Sequence, residues 1–459
     1  MGRSRWMTML AAALVTWALP LPAVQAGAAA PSPLAGLTPD AGPPAVPTSP
    51  VADGGLGELL ALALAGHPAL DAGRERWSAW RRQRDAATAL PDPVLGVGWQ
   101  LASVETRVGP QRVKWSLTQR FPWFGTLGLR GRTVDARADA AAARWRGRLL
   151  AVLRDGQRQW YELAWLGRAI AVTREHLDLV SGWERVASRL YAAGEGSYAD
   201  LMRIQIEMGS LEDKLRSLNE LVAAVRADLA AALGLPPDTP LPVPAALPVP
   251  RPLPPDSVLA GWVADHPDLA VLDAEARRFA LERDLAGKKG LPSFSLGLDV
   301  IATDPAAVDL PDSGKDPVVA RLGLTLPLWR GAYRAEGEAA QARERAVRAD
   351  RRDRRRRLRA RLANALFTFH DAVSRQRLHD ETLLPRARQA LDAVSSLYAT
   401  GEAGYLDLID AERTLLRLSL DRDRAVADQG RAEAEIVAVT GGAWAPTALL
   451  PLLNDEVSR

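Results

Sequence analysis

The sequence predicts a mainly α-helical protein with membrane β: a duplicated pair of long helical hairpins, each fed by a β-hairpin, giving four strands per chain. Three observations carry this. The segment YAAGEGSYADLM, Tyr191–Met202, returns as YATGEAGYLDLI, Tyr398–Ile409, each a tight turn between two amphipathic runs. The run before each turn, Leu127–Ala192 and Ala332–Thr400, keeps helical period for a length no compact domain needs. Before each of those runs stand two stretches of period-two alternation with no globular core beside them to cover their apolar side.

Composition narrows the class. At 459 residues, 47% of them hydrophobic, the chain exceeds one ordinary core. Lys and Arg exceed Asp and Glu by only three, and Arg3 and Arg5 lie in a leader, so there is no general electrostatic case for a nucleic-acid partner. The absence of cysteine excludes a disulfide framework, thiol chemistry, zinc-thiolate sites and a lipid-modified N-terminal Cys, hence a lipoprotein. The apolar run Met9–Leu21 followed by Val24-Gln25-Ala26 reads as a secretory signal peptide over residues 1–26. Residues 27–55 form a Pro/Ala linker that cannot bury enough surface to order itself.

The first repeat spans 56–234. Its opening helical segment is interrupted at Gly66-His67-Pro68, and the second repeat matches this with His266-Pro267. One His per repeat, with no partner at ligand spacing, marks a helix boundary rather than a metal site. A hairpin over 93–121 follows, in which Leu95, Val97, Trp99, Val113, Trp115 and Leu117 share one face. The segment Phe121-Pro122-Trp123-Phe124-Gly125 closes it, and the long helix, a tip turn at 191–200 and a return helix complete the repeat. The return seam steps by three and four through Leu201, Ile204, Met208, Leu211, Leu215, Leu218, Val222, Val225 and Leu229, as in coiled coils. Proline-dense 235–256 connects the repeats as an extended segment along the outside. The second repeat, 257–442, carries a hairpin over 293–328, a helix bent at Pro385, a tip turn at 398–407 and a return helix. That helix has Arg422 and Gln429 where Leu215 and Val222 stood, so the two return helices meet different neighbours. Residues 443–459 form a short tail.

The strands decide the setting. Segments of about ten residues with an apolar outer face and a terminal Trp suit an outer membrane, where open sheet edges are not tolerated in lipid. Four strands are too few to close a barrel, so several chains share one, two giving eight strands or three giving twelve. The competing reading is a soluble bundle capped by hairpins.

The duplication, the hairpins and the Tyr-Gly-Asp-Leu turns together resemble the outer membrane factor family, the TolC-like efflux channels, over Leu56–Gly442. The Phe121–Gly125 segment is similar to the version in the heavy-metal and cation-efflux branch. The resemblance implies a homotrimer with one shared twelve-stranded β-barrel in outer-membrane lipid, continued by a coiled-coil periplasmic tunnel. It also implies partners: a periplasmic adaptor, or membrane fusion protein, and an inner-membrane pump of the resistance-nodulation-division class. The function so implied is passive exit of small solutes, with metal cations among the candidates. Type I secretion of polypeptide and a pore-less periplasmic scaffold are the alternatives. No cofactor or metal site is expected, and no nucleophile or phosphate-loop constellation supports an enzyme.

By motif, the resemblance makes Asp200 and Tyr398 residues that hold the tunnel shut, and Asp407 with Asp410 a carboxylate lining. Asp407 and Asp410 stand i,i+3 on one helix face, so copies around an axis would stack two acidic rings. Asp200 and Asp407 equally suit the first turn of a helix, where the dipole favours an acid, whereas Asp410 lies too deep for capping. Gly194, Gly196, Gly401 and Gly404 are assigned to the turns and to adaptor contact, and Trp123, Phe124 and Trp329 to the membrane interface. The basic residue that some members carry in the second turn is missing near Ala403, which predicts a gate held less firmly. The run Arg351–Leu362 reads as a solvated helix face paired with neighbouring carboxylates rather than a nucleic-acid element.

Overall fold

The structure is a computed structural model that describes residues 55–247, 250–307, 311–400 and 402–444. The expected signal peptide, all but the last residue of the linker 27–55, and the tail from 445 lie outside the described residues. Helices α1 (Leu56–Gly66) and α2 (Pro68–Thr88) meet at His67. Its Nδ1 accepts the N–H of Ala69 at 3.1 Å, and Pro68 opens the helix where its missing N–H costs nothing. The same device recurs in the second repeat. A short α5 (Asp256–Trp262) and a 3-10 turn lead to His266, whose Nδ1 accepts the N–H of Asp268 at 3.1 Å to start α6 (Pro267–Lys289). Both histidines are caps, as the sequence indicates.

Strands β1 (Val94–Val104), β2 (Gln111–Phe121), β3 (Ser293–Thr303) and β4 (Val318–Thr325) form one antiparallel sheet in sequence order. Val97 pairs with Trp115, Trp115 with Val300, and Leu298 with Ala320. One face is therefore continuously apolar across all four strands, and it is solvent-facing: Trp99 is 71% and Leu322 75% exposed. The other face carries Lys114, Ser116, Asp299 and Arg321, with Asp299 held by Lys114 at 2.8 Å and by Arg321. Among the described residues no helix is long and apolar enough to cross a membrane.

Helix α3 (Thr126–Ala192, 67 residues) extends about 100 Å at 1.5 Å per residue and is the spine of the molecule. Towards the sheet its neighbours are α2 and α6, and towards the tip they are α4 (Tyr198–Ala232) and α9 (Tyr405–Val439). The second stem, α7 (Arg330–Leu378) continued by α8 (Leu384–Ala399), packs on α6 and α9. The helices thus form a ribbon four wide, α2–α3–α6–α7 above and α4–α3–α9–α8 below. The largest apolar cluster joins Leu59, Leu149, Leu163, Leu166 and Leu229 at mid-height, and a counterpart joins Leu259, Leu358, Phe369 and Ile436. Because α9 lies between two stems while α4 touches one, α9 buries far more of its circumference, down to Gln429, which bonds the Ala372 carbonyl and Gln376. Tyr161 sets the closest approach: a Cβ on Gly430 would stand 2.1 Å from its ring, so only glycine lets α9 pass.

The bend expected at Pro385 is a π-helical turn, His379–Leu383, placed just before it. Proline at the start of α8 offers no N–H to continue the ladder, and His379 Nδ1 meets the Arg375 carbonyl at 2.7 Å. The inter-repeat segment runs outside the bundle with Leu241 buried and Arg251 bound to Glu433 at 2.9 Å. The Arg-rich run is only half paired. Arg351, Arg354, Arg357 and Arg361 engage Asp273, Asp268, Asp353 and Glu435. Arg352, Arg355, Arg356 and Arg359 are exposed.

Burial depresses the His266 pKa below its ordinary value near 6.5, and the cap needs the neutral ring as acceptor. Stability conferred by His266 is therefore present above pH 6.5 and lost as pH falls through the lower folded value. Thermal melts should show His266→Ala costing about 1 kcal/mol at neutral pH. His266→Asn, an acceptor that does not titrate, should instead flatten the acid dependence between pH 7 and 5.

Candidate functional site

The candidate site is the end of the ribbon where the two tip turns lie. Helix α3 closes in a left-handed residue, Gly194 at φ +76°, with the Glu195 N–H returning to the Leu190 carbonyl at 2.9 Å and the Gly194 N–H to Tyr191 at 3.0 Å. The second turn repeats the wide bond, Glu402 N–H to the Leu397 carbonyl at 2.8 Å. Gly401 lies outside the described residues. Gly196 packs against the Leu190–Tyr191 backbone, whereas Gly404 caps α9 with an ordinary extended backbone. Ser197 caps α4 by accepting the Ala199 N–H at 3.2 Å.

These caps place Asp200 and Asp407 at the third position of their helices, where the N-terminal dipole favours an acid. Asp200 pairs with Arg203 on its own helix at 3.3 Å and lies close enough to Tyr398 to act on it. Burial first, and the Asp200 charge second, push the Tyr398 hydroxyl above the usual tyrosine range. No hydrogen bond joins the two residues among the described ones. Asp407 and Asp410 are exposed on one face of α9.

The two copies of the turn pack differently. Tyr405 is buried in a cluster with Leu201, Ile204 and Ile409, and Tyr398 leans on it. Their counterparts, Tyr198 and Tyr191, meet at the exposed surface with ring centroids 5.6 Å apart and planes tilted by 48°. Burial and the nearby Glu207 raise the Tyr405 pKa, and its hydroxyl has no hydrogen-bond partner among the described residues.

Behind the turns lies a polar cluster that the sequence reading does not reach. His176 Nδ1 of α3 stands 2.7 Å from Glu412 Oε1 of α9, the carboxylate fully buried. Glu207 of α4, also buried, accepts from Arg413 Nε at 3.0 Å and from a second Arg413 nitrogen. The signal was present as acids and bases on opposed seams, but only the crossing of helices brings them together. Among the described residues, no group of three or more His, Asp or Glu is placed to hold a metal ion.

At the other end, Gly125 in a left-handed conformation turns β2 into α3. Trp123 stacks on Phe294 at 5.7 Å and meets Phe124 at 6.0 Å. Phe124 and Trp329 are largely exposed, one where β2 passes into α3 and the other where β4 leads into α7.

Residues 262–442 match the family model described as outer membrane efflux protein. The chain is 27% identical over 298 residues to protein CyaE of Bordetella pertussis, across 62% of this chain and 63% of that one, so it spans less than two thirds of that relative. In fold it is similar to the outer-membrane channel OprN, with a TM-score of 0.72 at 18% identity over 85% of this chain and 91% of that one. It is also similar to the open state of the MtrE outer membrane channel of Neisseria gonorrhoeae, with a TM-score of 0.69 at 19% identity over 84% and 89%.

Proposed function

We propose that this chain, whose residues 262–442 match the outer membrane efflux protein model and whose described residues have the fold of outer-membrane channels, is a trimeric outer-membrane exit duct. The observation that carries this reading is the four-stranded sheet with one continuous apolar face and two unpaired edges, β1 and β4. In lipid those edges need strands from other copies, and three copies supply twelve.

The helical ribbon makes the same demand. Leu153, Gln157, Trp160 and Tyr161 of α3 fall in register with Leu358, Leu362, Ala365 and Leu366 of α7. Yet α3 has the other repeat's α6 and α9 beside it, while α7 and α8 have no such pair within the chain. A second copy would offer its α2 and α4. Phe367, 71% exposed, and Leu221 on α4 are apolar groups for that contact. Within the chain Arg154 lies 3.8 Å from Glu435, and their counterparts in the other repeat are Arg359 and Asp228, both exposed.

The duct is passive and driven from the inner membrane through a periplasmic adaptor that meets the tip turns, with a pump of the resistance-nodulation-division class. Asp200 and Tyr398 hold the tip, and Asp407 with Asp410 line it with carboxylates that favour cations. Small solutes, metal cations among them, are the cargo this supports.

Fractionation should place the protein in the outer membrane, and recovery as soluble periplasmic protein would sink the duct. In planar bilayers, Asp200→Ala or Tyr398→Phe should raise conductance over the unaltered channel. In this cysteine-free chain, Arg359→Cys with Asp228→Cys should cross-link into trimers under oxidation, and neither alone should. A deletion strain should become more sensitive to metals or to drugs. Loss of a secreted polypeptide with unchanged sensitivity would favour the secretion reading.

A further inference from the structure

The turn that opens α6 contributes Asp265 and Pro267 to a cleft of about 650 Å³ between α3, α6 and α7, a volume suited to a small molecule. Small apolar side chains make up part of its wall, Ala143 of α3 with Ala276 and Ala280 of α6. Most of its acids already have cations. Asp139 holds Arg277 at 2.9 Å, Asp273 holds Arg351 at 2.6 Å, and Glu344 holds Arg348 one turn further along α7. Asp265 is exposed.

Arg146 of α3, which also lines the cleft, is the cation left over. Its Nε is buried without a hydrogen-bond partner, and it makes no ion pair among the described residues. Burial alone moves its pKa, downward, with no carboxylate near enough to raise it again. The duplication shows why. Counted from Leu358 and Leu153 in the two stems, Arg351 and Arg146 are equivalent, and counted from His266 and His67, so are Asp273 and Arg74. The second repeat therefore sets an acid against its arginine, whereas the first sets a second arginine, which lies 4.0 Å from Asp71 of its own helix. A cation withdrawn from water without a counter-charge costs the fold stability, and an anion from solution would restore it.

We propose that this cleft binds a small organic monocarboxylate, its carboxylate bonded to Arg146 and its apolar body against Ala143, Ala276 and Ala280. A planar guanidinium offers paired N–H donors that match a carboxylate. Asp139, Asp273 and Glu344 share the cleft with it, so a dianion such as phosphate would meet more repulsion than one guanidinium offsets. Every residue of the site belongs to one chain, and the proposal does not depend on the trimeric duct.

The test is isothermal titration of the purified full-length protein with sodium benzoate, alongside benzamide, its uncharged analogue, and inorganic phosphate. Benzoate should bind saturably with a Kd of about 1 mM, the affinity open to so small a ligand, and neither of the others should bind. Arg146→Met should weaken benzoate about tenfold or more, the worth of a charge-assisted pair of hydrogen bonds, and Arg146→Lys should weaken it less. Because Arg146 gives up no partner, Arg146→Met should melt no lower than the unaltered protein when benzoate is absent. A flat titration of the unaltered protein, equal binding by Arg146→Met, or benzamide or phosphate binding as tightly as benzoate would overturn the proposal. So would an Arg146→Met protein that melts well below the unaltered one, since the arginine would then be a structural group.

Discussion

The unsatisfied backbone of a four-stranded sheet is the constraint from which the rest follows. Strands β1 and β4 each present a row of N–H and C=O groups with no strand partner among the described residues, beside an apolar face that water does not favour. Lipid makes both demands stricter, because it accepts the face and refuses the edges. The helices inherit the same incompleteness, since β2 passes into α3 at Gly125 and β4 leads into α7 at Trp329. A ribbon of four helices with one stem flanked on both sides and the other open on one is the helical image of a sheet with two free edges.

Much of this was legible in the sequence because it is written in period. The switch from two to three-and-four, the paired His-Pro boundaries and the returning Tyr-Gly-Asp-Leu turns are local signals, and the strands, stems and caps lie where those signals put them. What the period did not disclose depends on which helices cross. Gln429 looked like a weakness in a seam, yet it is satisfied by Ala372 and Gln376 of the neighbouring stem. The π-helical turn sits upstream of the proline that marks it, because the ladder adjusts before the missing N–H. Half of the arginine run finds carboxylates and half does not, a division set by helix rotation rather than by composition.

The candidate site shows the same limit more sharply. Tyr198 and Tyr405 occupy equivalent positions in near-identical motifs, and one is exposed while the other is almost wholly buried. Sequence identity placed them in the same turn, but Tyr405 packs among Leu201, Ile204 and Ile409 where Tyr198 meets Tyr191 at the surface. His176, Glu207, Glu412 and Arg413 come from three separate helices, so no spacing within one segment could have joined them.

The wide turn at His379–Leu383 has a mechanical meaning. Between matching positions the second stem is two residues longer than the first, Leu358 to Tyr398 against Leu153 to Tyr191. The surplus is gathered near a single loosened coil instead of being spread as gentle curvature. Beyond that joint, the 16 residues of α8 make a lever of about 24 Å at 1.5 Å per residue. Its partner stem, α3, is one uninterrupted rod. In the trimeric duct proposed above, a wall built alternately of stiff rods and jointed ones would be able to change its bore at one end while keeping it at the other, much as staves hinged at one hoop would.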